Sequence, residues 1–137
     1  MPTSGMYAAA VEAFARAQIN WPADDVLVLL VNTAYYTVNL ETHDVLADIP
    51  SGARVASAAL TGKTVNGRVF DASDVAISGV TGDTAEAIII AHNTGDESDS
   101  TLIYYTDTGT GLPTLSFSNE TANIEWPSDS GRIFSIG

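Results

Sequence analysis

The residues able to do chemistry in this chain are few and scattered. Its two histidines, His43 and His92, stand far apart, with no spacing that would place both on one helix face or in one metal-ligand motif. Cysteine is absent, which removes disulfides, thiolate metal sites and a cysteine nucleophile. The densest acidic cluster, Asp96-Glu97-Ser98-Asp99, offers oxygens of the kind calcium prefers. It lacks the Asp-x-[Asp/Asn]-x-[Asp/Asn]-Gly spacing of a calcium loop and reads as a solvated hairpin tip. Asp24-Asp25 reads as a cap at a strand entry. No Gly-x-Ser-x-Gly elbow occurs, and Gly62-Lys63-Thr64 lacks the upstream glycine of a phosphate loop. Seventeen acids always permit some carboxylate pair, so the pairing that glycoside hydrolysis needs carries no weight here. The expectation is a protein with no catalytic residue, no cofactor and no metal. Two Tyr-Tyr pairs, Tyr35-Tyr36 and Tyr104-Tyr105, are the more telling feature. Neighbours on a strand face opposite ways, so one member of each pair is available as a contact anchor. Tyr35, Tyr36, His43 and Tyr105 are the candidate interface residues.

Elements must position these groups, and the totals limit which. A length of 137 residues suits one domain, and 45% hydrophobic residues is ordinary for a globular chain. No apolar run approaches the ~18 residues of a membrane span. The first residues, Met1-Pro2-Thr3-Ser4-Gly5, have no basic stretch followed by an apolar one, so no secretory signal is expected. Five Lys and Arg stand against seventeen Asp and Glu, a net charge of −12. That balance argues against a nucleic-acid partner, since little could neutralise phosphates. It also keeps many identical copies soluble before assembly.

Residues 4–18 carry helical periodicity, with Met6, Ala10, Val11, Phe14 and Ala17 on a stripe, Ser4 as N-cap and Pro22 beyond the end. Residues 1–20 are therefore expected as a helical segment preceding a β-rich body over 21–137. Residues 25–32 form a continuous apolar run, the mark of a strand buried on both faces. Residues 33–52 are a long excursion whose aromatic and apolar content predicts order, with a short helical turn near 40–46. Residues 54–60 and 64–70 read as strands, the latter split by Asn66-Gly67 into two arms. Residues 73–80 alternate, with Val75 and Ile77 inward. Residues 85–92 and 101–107 form a hairpin around the polar tip 93–100, with Ile88-Ile89-Ile90 covered on both faces. Thr108-Gly109-Thr110-Gly111-Leu112-Pro113 is a turn, and strands follow at 115–119, 122–126 and 132–136. The fold class is mainly β: an antiparallel β-sandwich, jelly-roll-like or Ig-like, of about 7–9 short strands with one N-terminal α-helix, all in a single domain. Its inward residues are expected to be Leu27, Leu29, Val31, Ile77, Ile89, Ile103, Ile124 and Phe134, in one core.

A string of phrases carries a resemblance. These are Asp25-Val26-Leu27-Val28-Leu29-Leu30-Val31, Ile49-Pro50-Ser51-Gly52-Ala53-Arg54-Val55-Ala56, Leu60-Thr61-Gly62-Lys63-Thr64-Val65 and Phe70-Asp71-Ala72-Ser73-Asp74-Val75. They continue through Gly82-Asp83-Thr84-Ala85-Glu86-Ala87-Ile88-Ile89-Ile90 and Thr94-Gly95 to Ile103, and on to Arg132-Ile133-Phe134. Together they resemble a family of small virion structural proteins of tailed bacteriophages, over nearly the whole chain. Ala91 and His92 replace an aromatic residue and a lysine of that pattern, and Leu115-Ser116-Phe117-Ser118-Asn119-Glu120 replaces a Pro-Asn-Gly-Gly-Asp turn. The resemblance implies a capsid decoration or cement protein, acting by protein–protein contacts with other virion proteins such as the major capsid protein. It implies a homo-oligomer, localised to the virion and assembled in the host cytoplasm; the charge argues against nucleic acid as a partner, and the lack of a long apolar run against a membrane. A tail, neck or adsorption-apparatus protein is the second expectation; a glycan-binding adhesion module or a virion-associated hydrolase comes from another class.

Overall fold

The computed structural model describes residues 4–32, 35–66, 69–73, 75–77, 87–106, 114–118, 121–125 and 134–135. These residues are mainly β, arranged in antiparallel sheets, with one α-helix near the N-terminus. The main sheet has five strands: β1 (Ser4–Met6), β2 (Val26–Val31), β3 (Arg54–Ala59), β7 (Ala87–His92) and β8 (Leu102–Thr106), in the order β1-β8-β7-β2-β3. The helix α1 (Ala8–Ala15) follows β1 directly. Two three-stranded sheets complete the set. One joins β4 (Thr64–Asn66), β5 (Val69–Asp71) and β11 (Phe134–Ser135) in the order β11-β5-β4. The other joins β6 (Val75–Ile77), β9 (Thr114–Ser118) and β10 (Thr121–Glu125) in the order β6-β10-β9. The described residues thus hold eleven strands, more than expected, because several are only two or three residues long.

β2 and β7 lie side by side in the middle of the main sheet, with Leu29 opposite Ile89 and Val28 opposite Ile90. Neither strand has a polar face, so both faces of the sheet are covered. Val28, Leu30, Ile88, Ile90 and Ile103 pack on one face with Ala10 and Ala13 of the helix, Trp21, and Phe70 and Ile77 of the smaller sheets. Trp21 meets the Phe70 ring edge-on at 5.5 Å. Leu29, Val31, Ile89, Leu102 and Tyr105 pack on the opposite face with Tyr7, Tyr36, Leu46 and Ile49. The expectation of one core is corrected accordingly. Leu29, Val31 and Ile89 belong to one cluster, and Ile77 and Ile103 to the other. Leu27 is only half-buried at the margin. Ile124 and Phe134 lie outside the residues whose side chains are described, as do the turn at 108–113 and the ends of the strands expected at 73–80 and 132–136.

The helix is corrected at both ends. Ser4 is not its N-cap, because residues 4–6 pair as a strand with Thr106, Tyr105 and Tyr104 and so satisfy the outer edge of β8. Tyr7 extends that contact by donating its N–H to the Ile103 carbonyl at 3.0 Å. The helix begins only at Ala8, whose free N–H is taken by the Leu40 carbonyl at 2.8 Å. At the other end Ala17 adopts φ 59, while Gln18 N–H reaches the Ala13 carbonyl and Ala17 N–H the Phe14 carbonyl. This is a Schellman cap with alanine where glycine is usual, and it stops the helix well before Trp21 and Pro22.

Candidate functional site

Two loops meet at one end of the main sheet, above the face that holds Tyr7 and Tyr36. The first connects β2 to β3. Asn39 shapes its start: its Oδ1 accepts from the N–H groups of Glu41 and Thr42, and its carbonyl accepts from His43 N–H. This is the short turn expected near 40–46, closed by a side chain that mimics a backbone carbonyl. Asp48 Oδ2 then accepts from Asp44 N–H at 2.8 Å and Val45 N–H at 3.2 Å, folding residues 44–48 around one carboxylate. The second loop is the hairpin tip 93–100. Asp96 Oδ1 accepts from both the N–H and the hydroxyl of Ser98, and buried Ser100 donates its hydroxyl to the Asp96 carbonyl. Gly95, at φ 89, supplies the left-handed residue this tight turn requires.

The two loops are sewn together. Leu46 N–H donates to the Ser100 carbonyl, Ala47 N–H to the Glu97 carbonyl and Leu102 N–H to the Asp44 carbonyl, at 2.8–3.1 Å. Val45 and Thr101 form an isolated bridge. Arg54, the first residue of β3, closes the joint. Its Nη1 and Nη2 grip the two Glu97 carboxylate oxygens at 2.7 and 3.1 Å, and Nη2 also donates to the Leu46 and Ile49 carbonyls at 2.8 Å each. A planar fork with several donors suits this task in a way a lysine does not. The result is a continuous surface on which Glu41, Asp44, Asp48, Asp96, Glu97 and Asp99 are all exposed.

Three of these carboxylates keep their charge further into acid. The Arg54 guanidinium holds Glu97 below the usual carboxylate range. Two backbone N–H groups do the same for Asp48, and the Ser98 side chain and N–H for Asp96. Under the surface lies a buried chain of hydroxyls. The Tyr7 and Tyr36 oxygens are 2.8 Å apart, and the Tyr36 oxygen is 2.9 Å from His43 Nδ1. Burial pushes both phenols above their ordinary value, strongly for Tyr7.

The four candidate residues divide. Tyr35 is exposed, at 59% of its surface. His43 is half-buried, with its ring stacked at a tilt 5.3 Å from that of Tyr36. Tyr36 and Tyr105 are corrected: at 4% and 1% exposure they are core residues, and their rings pack 6.1 Å apart. The Tyr35-Tyr36 pair lies in a loop, and Tyr104 of β8, facing away from Tyr105, is half-buried against the cluster that holds Ala10, Trp21 and Ile103. The central residue the sequence reading passed over is Arg54. Its signal was scarcity, as one of only five cations in so acidic a chain.

A cleft of about 370 Å³ lies where β2 begins and β7 ends, lined by Ala23, Asp24, Asp25, His92, Asn93 and Thr94. His92 Nε2 is 3.1 Å from Asp24 Oδ2, and that same oxygen accepts from Asn20 N–H. The pair ties the strand entry to the hairpin. Among the described residues no group of three or more His, Asp or Glu side chains is placed to hold a metal ion. No helix among them is long and apolar enough to cross a membrane.

Comparison with known protein families found none that matches this chain, and comparison with curated proteins found no match.

Proposed function

We propose that the chain is a structural protein of a tailed-phage virion, bound to the outer face of the head shell as a decoration or cement protein. The observation that carries this reading is the joined loop surface: two segments distant in sequence, held as one ordered acidic face by Arg54 and by backbone hydrogen bonds. An ordered loop face on a sheet buried from both sides is suited to docking, because little conformational entropy remains to be lost on binding. The resemblance to phage virion proteins supplies the context. In this reading the two small sheets close over the large one as an antiparallel β-sandwich, several copies associate, and the chain turns over no substrate. Its partner presents basic side chains to the acidic face. The deciding experiment is an imaging reconstruction of the particle, in which the domain is expected as a repeated feature of the head. Finding it only at the tail or neck would defeat the decoration role while leaving a structural one. Hydrolysis of cell-wall or surface glycan by the purified chain would defeat both.

A further inference from the structure

β3 ends the strand order of the main sheet. Its inner edge pairs with β2, Ser57 opposite Leu29 and Ala59 opposite Leu27, and among the described residues no strand pairs with its outer edge. Natural edge strands are usually protected by charge, proline or brevity. After Arg54 this one reads Val55-Ala56-Ser57-Ala58-Ala59, with no further charge and no proline; β6 comes near it, and Ser73 N–H donates to the Thr61 carbonyl just beyond its end. Beside it lies a cleft of about 280 Å³, lined by Leu27, Leu29, Leu46, Ala56 and Ser57, with the Arg54–Glu97 pair at one end. Ser57 and Ala59 are exposed there. The cleft has room for one large side chain, and its leucines suit an apolar one. The charge around it is one-sided. Across loops 35–53 and 93–100 and β3 the only Lys or Arg is Arg54, already held by Glu97, while Asp44, Asp48, Asp96 and Asp99 stand exposed nearby.

We infer that β3 and this cleft receive an extended segment of a partner protein, which adds as a further strand, sets one large apolar residue into the cleft and places lysine or arginine against the acidic loops. Main-chain hydrogen bonds along the edge supply affinity, while the cleft and the loop charges supply register and selectivity. This rests on the docking role proposed above and names the partner's chemistry.

The probe is a synthetic peptide, Lys-Thr-Val-Thr-Leu-Thr-Val-Thr-Lys, with a control carrying Glu in place of both Lys. Backbone amide NMR of the full chain should show residues 54–59 shifting and gaining exchange protection with the lysine peptide. The Glu peptide should bind at least about tenfold more weakly, as expected where like charges meet. Ser57→Trp fills the cleft mouth from an exposed position and should abolish binding with the fold intact. Should that variant fail to fold, Ser57→Arg should reverse the preference between the two peptides. Equal binding of both peptides, or shifts confined to regions away from β3, would overturn the inference. So would a dimer in sedimentation that Ser57→Trp dissolves, which would assign the edge to a second copy of the chain. Particles separate the two proposals. If the wild-type chain and Ser57→Trp occupy the particle equally, the edge is not the docking site and the virion role stands. If the peptide binds as described but the chain is absent from particles, the virion role falls and the edge inference stands.

Discussion

Tyr36 holds the β2–β3 loop to the sheet through a single oxygen. With His43 neutral and protonated on Nε2, the Tyr36 hydroxyl donates to Nδ1 and accepts from the Tyr7 hydroxyl, which is fully buried. Tyr36→Phe strands that Tyr7 hydroxyl, so it should cost about 1–3 kcal/mol, whereas Tyr7→Phe removes one bond and strands nothing, costing about 0.5–1.5 kcal/mol. Urea denaturation of both variants checks the order, and a reversed order would contradict the bonding described. Both phenols have folded-state values above the unfolded one, chiefly through burial. Their contribution to stability is therefore complete below the unfolded value of about 10 and is lost as pH rises beyond it, because only the unfolded chain gives up those protons. The denaturation midpoint should fall between pH 9 and pH 11, and fall less in Tyr7→Phe. Little of this was legible in the sequence. A Tyr-Tyr pair announces that one ring faces inward, but not which one, since that depends on where the loop meets Tyr7.

At the scale of elements, the strands were legible because their apolar runs have no competing use. β2 and β7 each lack a polar face, and both came out buried on two sides. Ile89→Ala, at a fully buried site opposite Leu29, should cost roughly 2–5 kcal/mol. A chemical-denaturation change under about 0.5 kcal/mol, the range of surface sites, would show that β7 is not central. The helix was legible in its middle and not at its ends. Its periodicity ran back through Met6, but the open edge of β8 claimed residues 4–6, and a sheet edge about a hundred residues away leaves no mark on local pattern. Its far end depends on Ala17 adopting a left-handed conformation that no sequence rule assigns to alanine. Ala17→Gly relieves strain of about 1–2 kcal/mol and gives back part of it as unfolded-chain entropy. A net gain of about 0.5 kcal/mol is expected, read as a raised melting temperature. A loss would mean that the Schellman cap is not formed in solution.

For the whole molecule, the charge of −12 and its placement set the response to solution conditions. Asp48, Asp96 and Glu97 all have depressed folded-state values, so their contribution is present above the ordinary carboxylate range and is lost as pH falls through the lowered values. Hydrogen-exchange protection at Leu46, Ala47 and Leu102, whose amides tie the two loops, should fall on acidification before that of the β2 amides, with rates taken relative to the slower intrinsic exchange in acid. Simultaneous loss would mean that the loops have no separate stability. The sheet order has a further consequence, for synthesis. Among the described residues β1 pairs only with β8, so Ser4 waits for Thr106, about a hundred residues later. At roughly 5–20 residues per second that is a delay on the order of 5–20 s. Throughout it, residues 4–6 lack the strand they pair with, and α1 has only its contacts with segments made before β8, such as Ala8 N–H to the Leu40 carbonyl. Nascent chains halted before residue 101 should therefore remain open to protease at residues 4–6, and release past residue 106 should close that window in one step.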